Sequence, residues 1–116
     1  MSTWDSLIFS TEANAEFLDE LSELDTEEIV EGVRDAVFLA SGVSVSNDEL
    51  DNGRAAATLV AIWVGAPFSA GEIADNYTFI RGGFSGVDEK LSEAAAALLE
   101  NVDTEADIDQ FIEALS

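Results

Sequence analysis

The 116-residue chain contains no cysteine and no histidine, and it has one proline and only four basic residues. Without cysteine there is no disulfide framework, and without cysteine or histidine there is no Cys/His zinc site and no Cys/His nucleophile–base pair. Four Lys and Arg residues provide no basic surface that could hold nucleic acid phosphates. The composition therefore excludes several common classes of enzyme and binding protein.

Negative charge is what the chain has in excess, with 25 Asp and Glu residues and a formal net charge of −21. Hydrophobic residues nevertheless make up 47% of the chain, far more than a disordered acidic tail contains. The acids are unevenly distributed, since residues 52–87 include only two of them. A neutral, Ala-rich centre between acidic arms predicts one domain, residues 1–116, with a buried middle.

No targeting or membrane-spanning segment is predicted. Residues 1–9 lack the basic n-region and apolar core of a signal peptide. The most apolar stretch, residues 55–68, is shorter than the ~20 residues that a membrane span needs. We therefore expect a cytoplasmic protein.

Helical periodicity dominates and predicts an all-α fold, a compact orthogonal bundle of about five to six helices. The first helix is predicted over residues 12–24, with Ser10 or Thr11 as its cap. The second is predicted to begin near Asp25 or Thr26 and to end at Gly42. The predicted inner faces are Ala13, Phe17, Leu18, Leu21 and Leu24 in the first helix, and Ile29, Val30, Val33, Val37 and Phe38 in the second.

The middle of the chain is predicted to supply the central helix. The second predicted helix, which precedes the central one, begins with Asp25 and Glu28, and these two residues resemble an acidic capping box. Residues 43–53 are rich in turn formers and are predicted to be the longest loop. Residues 54–64 are apolar on nearly every side, which is typical of a buried helix, and Gly65 with Pro67 is predicted to end it.

Three more helices are predicted after this central helix. Their predicted starts are, in order, Ser69 with Glu72 as a capping box, Ser85, and Asp103 or Thr104. The fourth helix is predicted to end before Gly82. The predicted inner faces of the last two are Leu91, Ala94, Ala95, Leu98, Leu99 and Val102, and then Ile108, Phe111, Ile112 and Leu115.

Three segments resemble a bacterial family called domain of unknown function 4259. They are Thr3-Trp4-Asp5 with Phe9–Leu18, Arg54–Ala61 with Gly65, and Leu91–Asn101. The first is similar to the aromatic-led opening of that family, the second to its Ala-rich central helix, and the third to its C-terminal Ala/Leu helix. The chain departs from the family at Asp5, Thr11-Glu12 and Asn14, where the family has Gly, Asn-Asp and a small apolar residue. The resemblance implies no reaction.

Carboxylates are the only abundant reactive groups, and the helical pattern places them away from the apolar faces. A di-metal site could use glutamates at i, i+4 spacing, and the candidates are Glu12, Glu16, Glu20, Glu23 and Glu27. Such sites also need histidine, so a solvated helix face is expected instead. Residues 48–53 and 103–109 superficially resemble calcium loops, but each departs from the ligand and glycine positions of an EF-hand.

The remaining candidates are expected to be structural. Lys90 is predicted on an exposed helix face, paired with an acid one turn away. Residues 82–86 are Gly-rich but match no phosphate-binding motif, so a helix end and turn are expected. Trp63 is predicted in the core, whereas Trp4 and Phe9 are predicted to pack over the bundle or, alternatively, to form a mobile arm that contacts a partner. No catalytic, cofactor-binding or metal-ligating residue is predicted.

Three interpretations of the charge remain. The protein is expected to be a non-enzymatic helical domain, either a protein-interaction module or a protein adapted to concentrated salt. An alternative is an immunity-type or nucleic-acid-mimic inhibitor that binds a basic protein through the acidic helices. A carboxylate-dependent hydrolase is the least expected. No cofactor, nucleic acid or membrane partner is predicted, and a homodimer through residues 52–87 is left open.

Overall fold

The computed structural model describes residues 4–42, 45–65, 75, 77–81, 87–102 and 108–115, and the elements in these ranges are all helical. They are α1 (Trp4–Phe9), α2 (Glu12–Ser22), α3 (Thr26–Ala40), α4 (Asn47–Trp63), a 3₁₀ turn (Thr78–Arg81), α5 (Glu89–Glu100) and α6 (Asp109–Leu115). The predicted all-α fold is confirmed.

Helix α4 lies at the centre and packs against every other element named above. All of its side chains from Ala55 to Trp63 are buried. A helix that is apolar all round is stable only where neighbours cover each of its sides. The predicted apolar central helix is thus confirmed. It ends at Trp63 with Val64 as its C-cap, and Gly65 follows with a φ of 115°, the left-handed conformation usual for glycine after a helix.

The start of α4 differs from the prediction. The helix begins at Asn47 rather than Arg54, so the predicted loop over residues 43–53 is wrong from Asn47 onward. A capping box explains the early start, because the Ser46 hydroxyl accepts the Glu49 backbone N–H while the Glu49 carboxylate accepts the Ser46 N–H. Acids in a first helical turn also suit the positive end of the helix dipole.

Gly53 lies inside α4 because α3 passes close to it. A Cβ atom at Gly53 would lie 2.1 Å from the Cβ of Ala40 and 3.1 Å from the carbonyl oxygen of Ala36. Real Cβ atoms do not approach so closely, so only glycine allows this separation of the two helices. In the sequence Gly53 indicates a turn, but in the structure it lies where α3 and α4 are in close contact.

Helices α2 and α3 begin as expected but bury narrower faces. Thr11 caps α2 by accepting the Asn14 backbone N–H at 3.3 Å. Asp25 occupies the N-cap position of α3, but its side chain makes no capping hydrogen bond, so the predicted acidic capping box is absent. The α3 helix ends at Ala40, just before Gly42. The buried residues are Asn14, Leu18 and Leu21 in α2, and Ile29, Val33, Val37 and Ala40 in α3.

Helix α1 was not predicted, and two buried hydrogen-bonding side chains connect it to the bundle. The indole Nε1 of Trp4 donates to Thr58 Oγ1 at 2.9 Å, and the Asn14 amide Nδ2 donates to the Ile8 carbonyl at 2.6 Å. Trp4 and Phe9 are buried, which confirms that they pack on the bundle. The alternative of a mobile arm presenting these two aromatics to a partner is therefore wrong.

The C-terminal helices complete the core. Asp88 is the N-cap of α5, which begins at Glu89. Trp63 is buried as predicted, and its Nε1 donates to the carbonyl of Phe79 at 3.1 Å. The buried inner residues are Leu91, Ala95, Leu98, Leu99, Phe111 and Leu115, with Ala94, Val102, Ile108 and Ile112 partly buried against them.

Several predictions lie outside the described residues. They are Pro67, the Ser69/Glu72 capping box with most of the fourth helix, Ser85, the Gly-rich residues 82–86, and the Asp103 or Thr104 cap. Where the fourth helix is predicted to end, the structure has the 3₁₀ turn. Within the described ranges, no helix combines the length and apolarity that crossing a membrane would require.

Candidate functional site

The most highly charged surface is formed by α2, α3 and the turn between them. It carries ten carboxylates, and every one of them is exposed. We call this set the α2–α3 acidic surface, and its members are Glu12, Glu16, Asp19, Glu20, Glu23, Asp25, Glu27, Glu28, Glu31 and Asp35. The five glutamates considered as a di-metal site belong to it and point to water as predicted.

The fold positions these acids by burying the opposite sides of both helices. At the contact between the helices, a Cβ on Gly32 would lie 3.0 Å from Leu21 Cδ2, so α2 and α3 approach closely there. With Leu18 and Val33 fully buried, the helical period turns the intervening acids outward. Two amphipathic helices in contact thus both present their acids to water.

Only one base interrupts this surface. Arg34 is the single Lys or Arg between residues 12 and 40, and its Nη1 donates to Asp88 Oδ2 at 3.0 Å. The side chains are 33% and 53% exposed, so the ion pair lies at the surface and contributes little by itself. Because Arg34 is bonded to an acid of another element, the α2–α3 acidic surface keeps its excess of negative charge.

Asp88 has two structural roles. Its Oδ1 accepts the Leu91 backbone N–H at 2.8 Å, which caps α5, while its Oδ2 accepts from Arg34. The Leu91 hydrogen bond first, and the Arg34 guanidinium second, hold the pKa of the Asp88 carboxyl below its usual range. A lowered folded-state pKa means that ionised Asp88 stabilises the fold above the unfolded pKa, and that this contribution is lost as pH falls through the folded pKa.

Asp88→Asn keeps an acceptor for Leu91 but removes the charge that Arg34 binds. We expect a lower free energy of unfolding at pH 7, and a difference from wild type that shrinks below about pH 4, near the ordinary pKa of aspartate. Urea unfolding at several pH values measures it. The loss of any negative charge relieves repulsion in this chain, which changes stability by itself. Glu93→Gln, at an exposed position of α5, removes one charge without a partner change at Asp88 and is the control. A wild-type advantage over Asp88→Asn that stays constant down to pH 2 would contradict the expectation.

Asp19 belongs to the acidic surface but is also hydrogen-bonded. The Tyr77 hydroxyl donates to Asp19 Oδ1, and this bond connects α2 to the segment before the 3₁₀ turn. The hydrogen bond to Asp19, followed by partial burial and the nearby negative charge, raises the pKa of the Tyr77 hydroxyl. One acid of the surface therefore also has a structural role.

Exposed apolar side chains lie at the end of α3, contrary to the prediction for Phe38. This residue was expected in the core but is 41% exposed, and its neighbour Leu39 is 54% exposed. Nine residues separate Phe38 from Ile29, which is about two and a half helical turns, so the two side chains point to opposite sides. Leu24 was also predicted to face inward; it follows the end of α2 and is 37% exposed.

The calcium-like segment and the single lysine have simple structural outcomes. Residues 48–53 lie within α4, so they form a helix and not a calcium loop, while most of residues 103–109 lie outside the described ranges. Among the described residues, no three metal-ligating side chains cluster together. Lys90 is exposed as predicted, but within the described ranges it forms no ion pair with an acid one turn away; its charge acts on Asp88.

No protein-family model, no curated protein and no solved structure matches this chain. The similarity to domain of unknown function 4259 therefore stays a prediction.

Proposed function

We propose that this protein is a non-enzymatic interaction module, whose α2–α3 acidic surface binds a basic protein. The observation that supports it is the exposure of all ten carboxylates on α2, α3 and the turn between them, with Arg34 bonded to Asp88. We also propose that the protein is cytoplasmic.

Electrostatics favours a cationic protein as the partner. A surface of one sign steers an oppositely charged partner and speeds association, an effect that weakens as salt screens the charges. Nucleic acids carry the same sign as this surface and are repelled by it. An inhibitor that occupies the basic nucleic-acid site of another protein is one form that such a module takes.

Matched charge variants test this proposal. The triple variant Glu16→Gln, Glu20→Gln and Glu31→Gln neutralises exposed acids on α2 and α3, and its control neutralises exposed Glu89, Glu93 and Glu100 on α5. Both variants change the net charge equally. Each immobilised protein is exposed to a lysate of the source organism at low salt, and proteins eluted by salt are identified by mass spectrometry.

We expect a basic protein that is captured by wild type and by the α5 control, with at least about tenfold less on the α2–α3 variant, as for loss of a dominant charged contact. Equal losses from both variants would contradict the proposal, because binding would then follow net charge and not this surface. Capture of no basic protein would contradict it too.

Salt adaptation is the other interpretation of the acids. The salt dependence of folding distinguishes it from the interaction module. Circular dichroism is followed from about 0.1 M to about 3 M potassium chloride, where the Debye length falls from ~10 Å to ~3 Å or less. An interaction module should already be helical at the low end, because its core is formed by the apolar α4. Unfolding at low salt would assign the acids to salt adaptation instead.

A further inference from the structure

The outer face of α3 combines charge and apolar surface in one line. Glu28, Glu31, Asp35 and Phe38 follow one another at intervals of three, four and three residues, so they share one side of the helix, and Leu39 lies next to Phe38. All five side chains are exposed. We call this line the α3 stripe; it spans about 15 Å at 1.5 Å per residue.

Phe38 and Leu39, at the apolar end of the stripe, do not belong to the core. The core side of α3 is occupied by Val33, Val37 and Ala40, which are buried against the rest of the bundle. Phe38 and Leu39 project away from that side, and they are the only adjacent pair among the large exposed hydrophobic residues of the described chain. An apolar patch with charged residues beside it has the composition of a protein-interaction site, an apolar centre with a polar rim.

Charge decides what can cover this stripe. A second copy would bring two chains of net charge −21 together, acid against acid, which Coulomb repulsion opposes. Nucleic acids and anionic membranes are repelled in the same way. The remaining occupant is cationic, with at least one apolar side chain to cover Phe38 and Leu39.

The spacing of the stripe matches a helix. Contacts at alternating intervals of three and four residues are those by which one helix packs along another, and the stripe extends for about three turns. We propose that the α3 stripe docks a basic amphipathic helix, whose Lys or Arg residues face Glu28, Glu31 and Asp35 while an apolar side chain packs on Phe38 and Leu39. This inference rests on the proposed function and names the class of partner segment.

Two synthetic peptides test the apolar anchor, Phe38 with Leu39, separately from the charged residues of the stripe. One is a helical lysine-rich peptide with leucine at every third or fourth position, and the other has the same length and charge with alanine in place of leucine. Affinities are measured by isothermal titration calorimetry at low salt for wild type and for Phe38→Ser/Leu39→Ser. Leu7→Ser is the control, since Leu7 is an exposed leucine of a different helix, α1. Circular dichroism verifies that each variant is folded.

We expect the leucine peptide to bind wild type about tenfold more tightly than the alanine peptide, as for an apolar hot spot. That preference should disappear in Phe38→Ser/Leu39→Ser and persist in Leu7→Ser. In Glu28→Gln/Glu31→Gln/Asp35→Asn, both peptides should bind more weakly than to the charge-matched α5 control.

The other outcomes distinguish the two proposals. A leucine preference that persists in Phe38→Ser/Leu39→Ser would overturn the anchor, while charge-dependent binding would leave the basic-partner function standing. Equal binding to the α3 and α5 charge variants would overturn the stripe as the docking site, whereas the proposed function would fall only with the α2–α3 triple variant. Sedimentation of the wild type at high salt supplies a further measurement: dimerisation that Phe38→Ser/Leu39→Ser abolishes would assign the stripe to a second copy and overturn the helix-docking inference.

Discussion

Replacing Trp4 by alanine is expected to lower the free energy of unfolding by about 3–5 kcal/mol, the range for truncating a buried large aromatic side chain. Trp4 is only 5% exposed, and its indole donates a buried hydrogen bond to Thr58 on the central helix. The substitution removes the buried indole ring together with its hydrogen bond, and it leaves a cavity beside α4. Since whole domains are stable by about 5–15 kcal/mol, the loss is a large part of the total. Urea unfolding followed by circular dichroism measures it.

Two further substitutions on α1 isolate the cause. Trp4→Phe keeps most of the apolar contact but loses the hydrogen bond, so its cost should be clearly smaller, about 1–2 kcal/mol. Leu7→Ala removes a side chain that is 44% exposed and should change stability by no more than about 0.5 kcal/mol. If Trp4→Ala cost no more than Leu7→Ala, the docking of α1 against α4 would be wrong.

Replacing Gly53 by alanine should destabilise the protein, although alanine is intrinsically the better helix former by about 1 kcal/mol. The new methyl group would lie 2.1 Å from the Cβ of Ala40, and the Ala36 carbonyl oxygen would be 3.1 Å away. Neither atom is the end of a flexible side chain, so α3 and α4 would have to separate. Overpacking of this kind costs about 1–3 kcal/mol, which reverses the sign that propensity predicts.

Gly32→Ala on α3 is the matched control. The closest atom to a new methyl group there is Cδ2 of Leu21, at 3.0 Å, and a leucine side chain can shift by a few tenths of an ångström. We expect unchanged stability or a gain of up to about 1 kcal/mol from the better helix former. Thermal or urea unfolding of both variants tests the pair. Equal effects at Gly32 and Gly53 would contradict the close contact between α3 and α4.

The candidate site was only partly predictable from the sequence. The period of the acids on α2 and α3 was sufficient to predict that they face water, because the apolar residues of each helix have one side to bury. The exposed end of the stripe was missed, although the spacing from Ile29 to Phe38 is a signal that could have found it. The Arg34–Asp88 ion pair joins residues far apart in the sequence, and no local pattern predicts it.

Much of the fold follows from local chemistry that the sequence displays. Hydrophobic periodicity, the Thr11 cap and the apolar run of the central helix depend on neighbours within a few residues, so the sequence by itself determined the helical class, the central helix and the outward acids. Only the tertiary structure decided that Gly53 lies in a helix, that Trp4 is buried, and that Phe38 is exposed. Each of these depends on which surface of another helix approaches the residue, and such contacts between distant parts of the chain override local propensity.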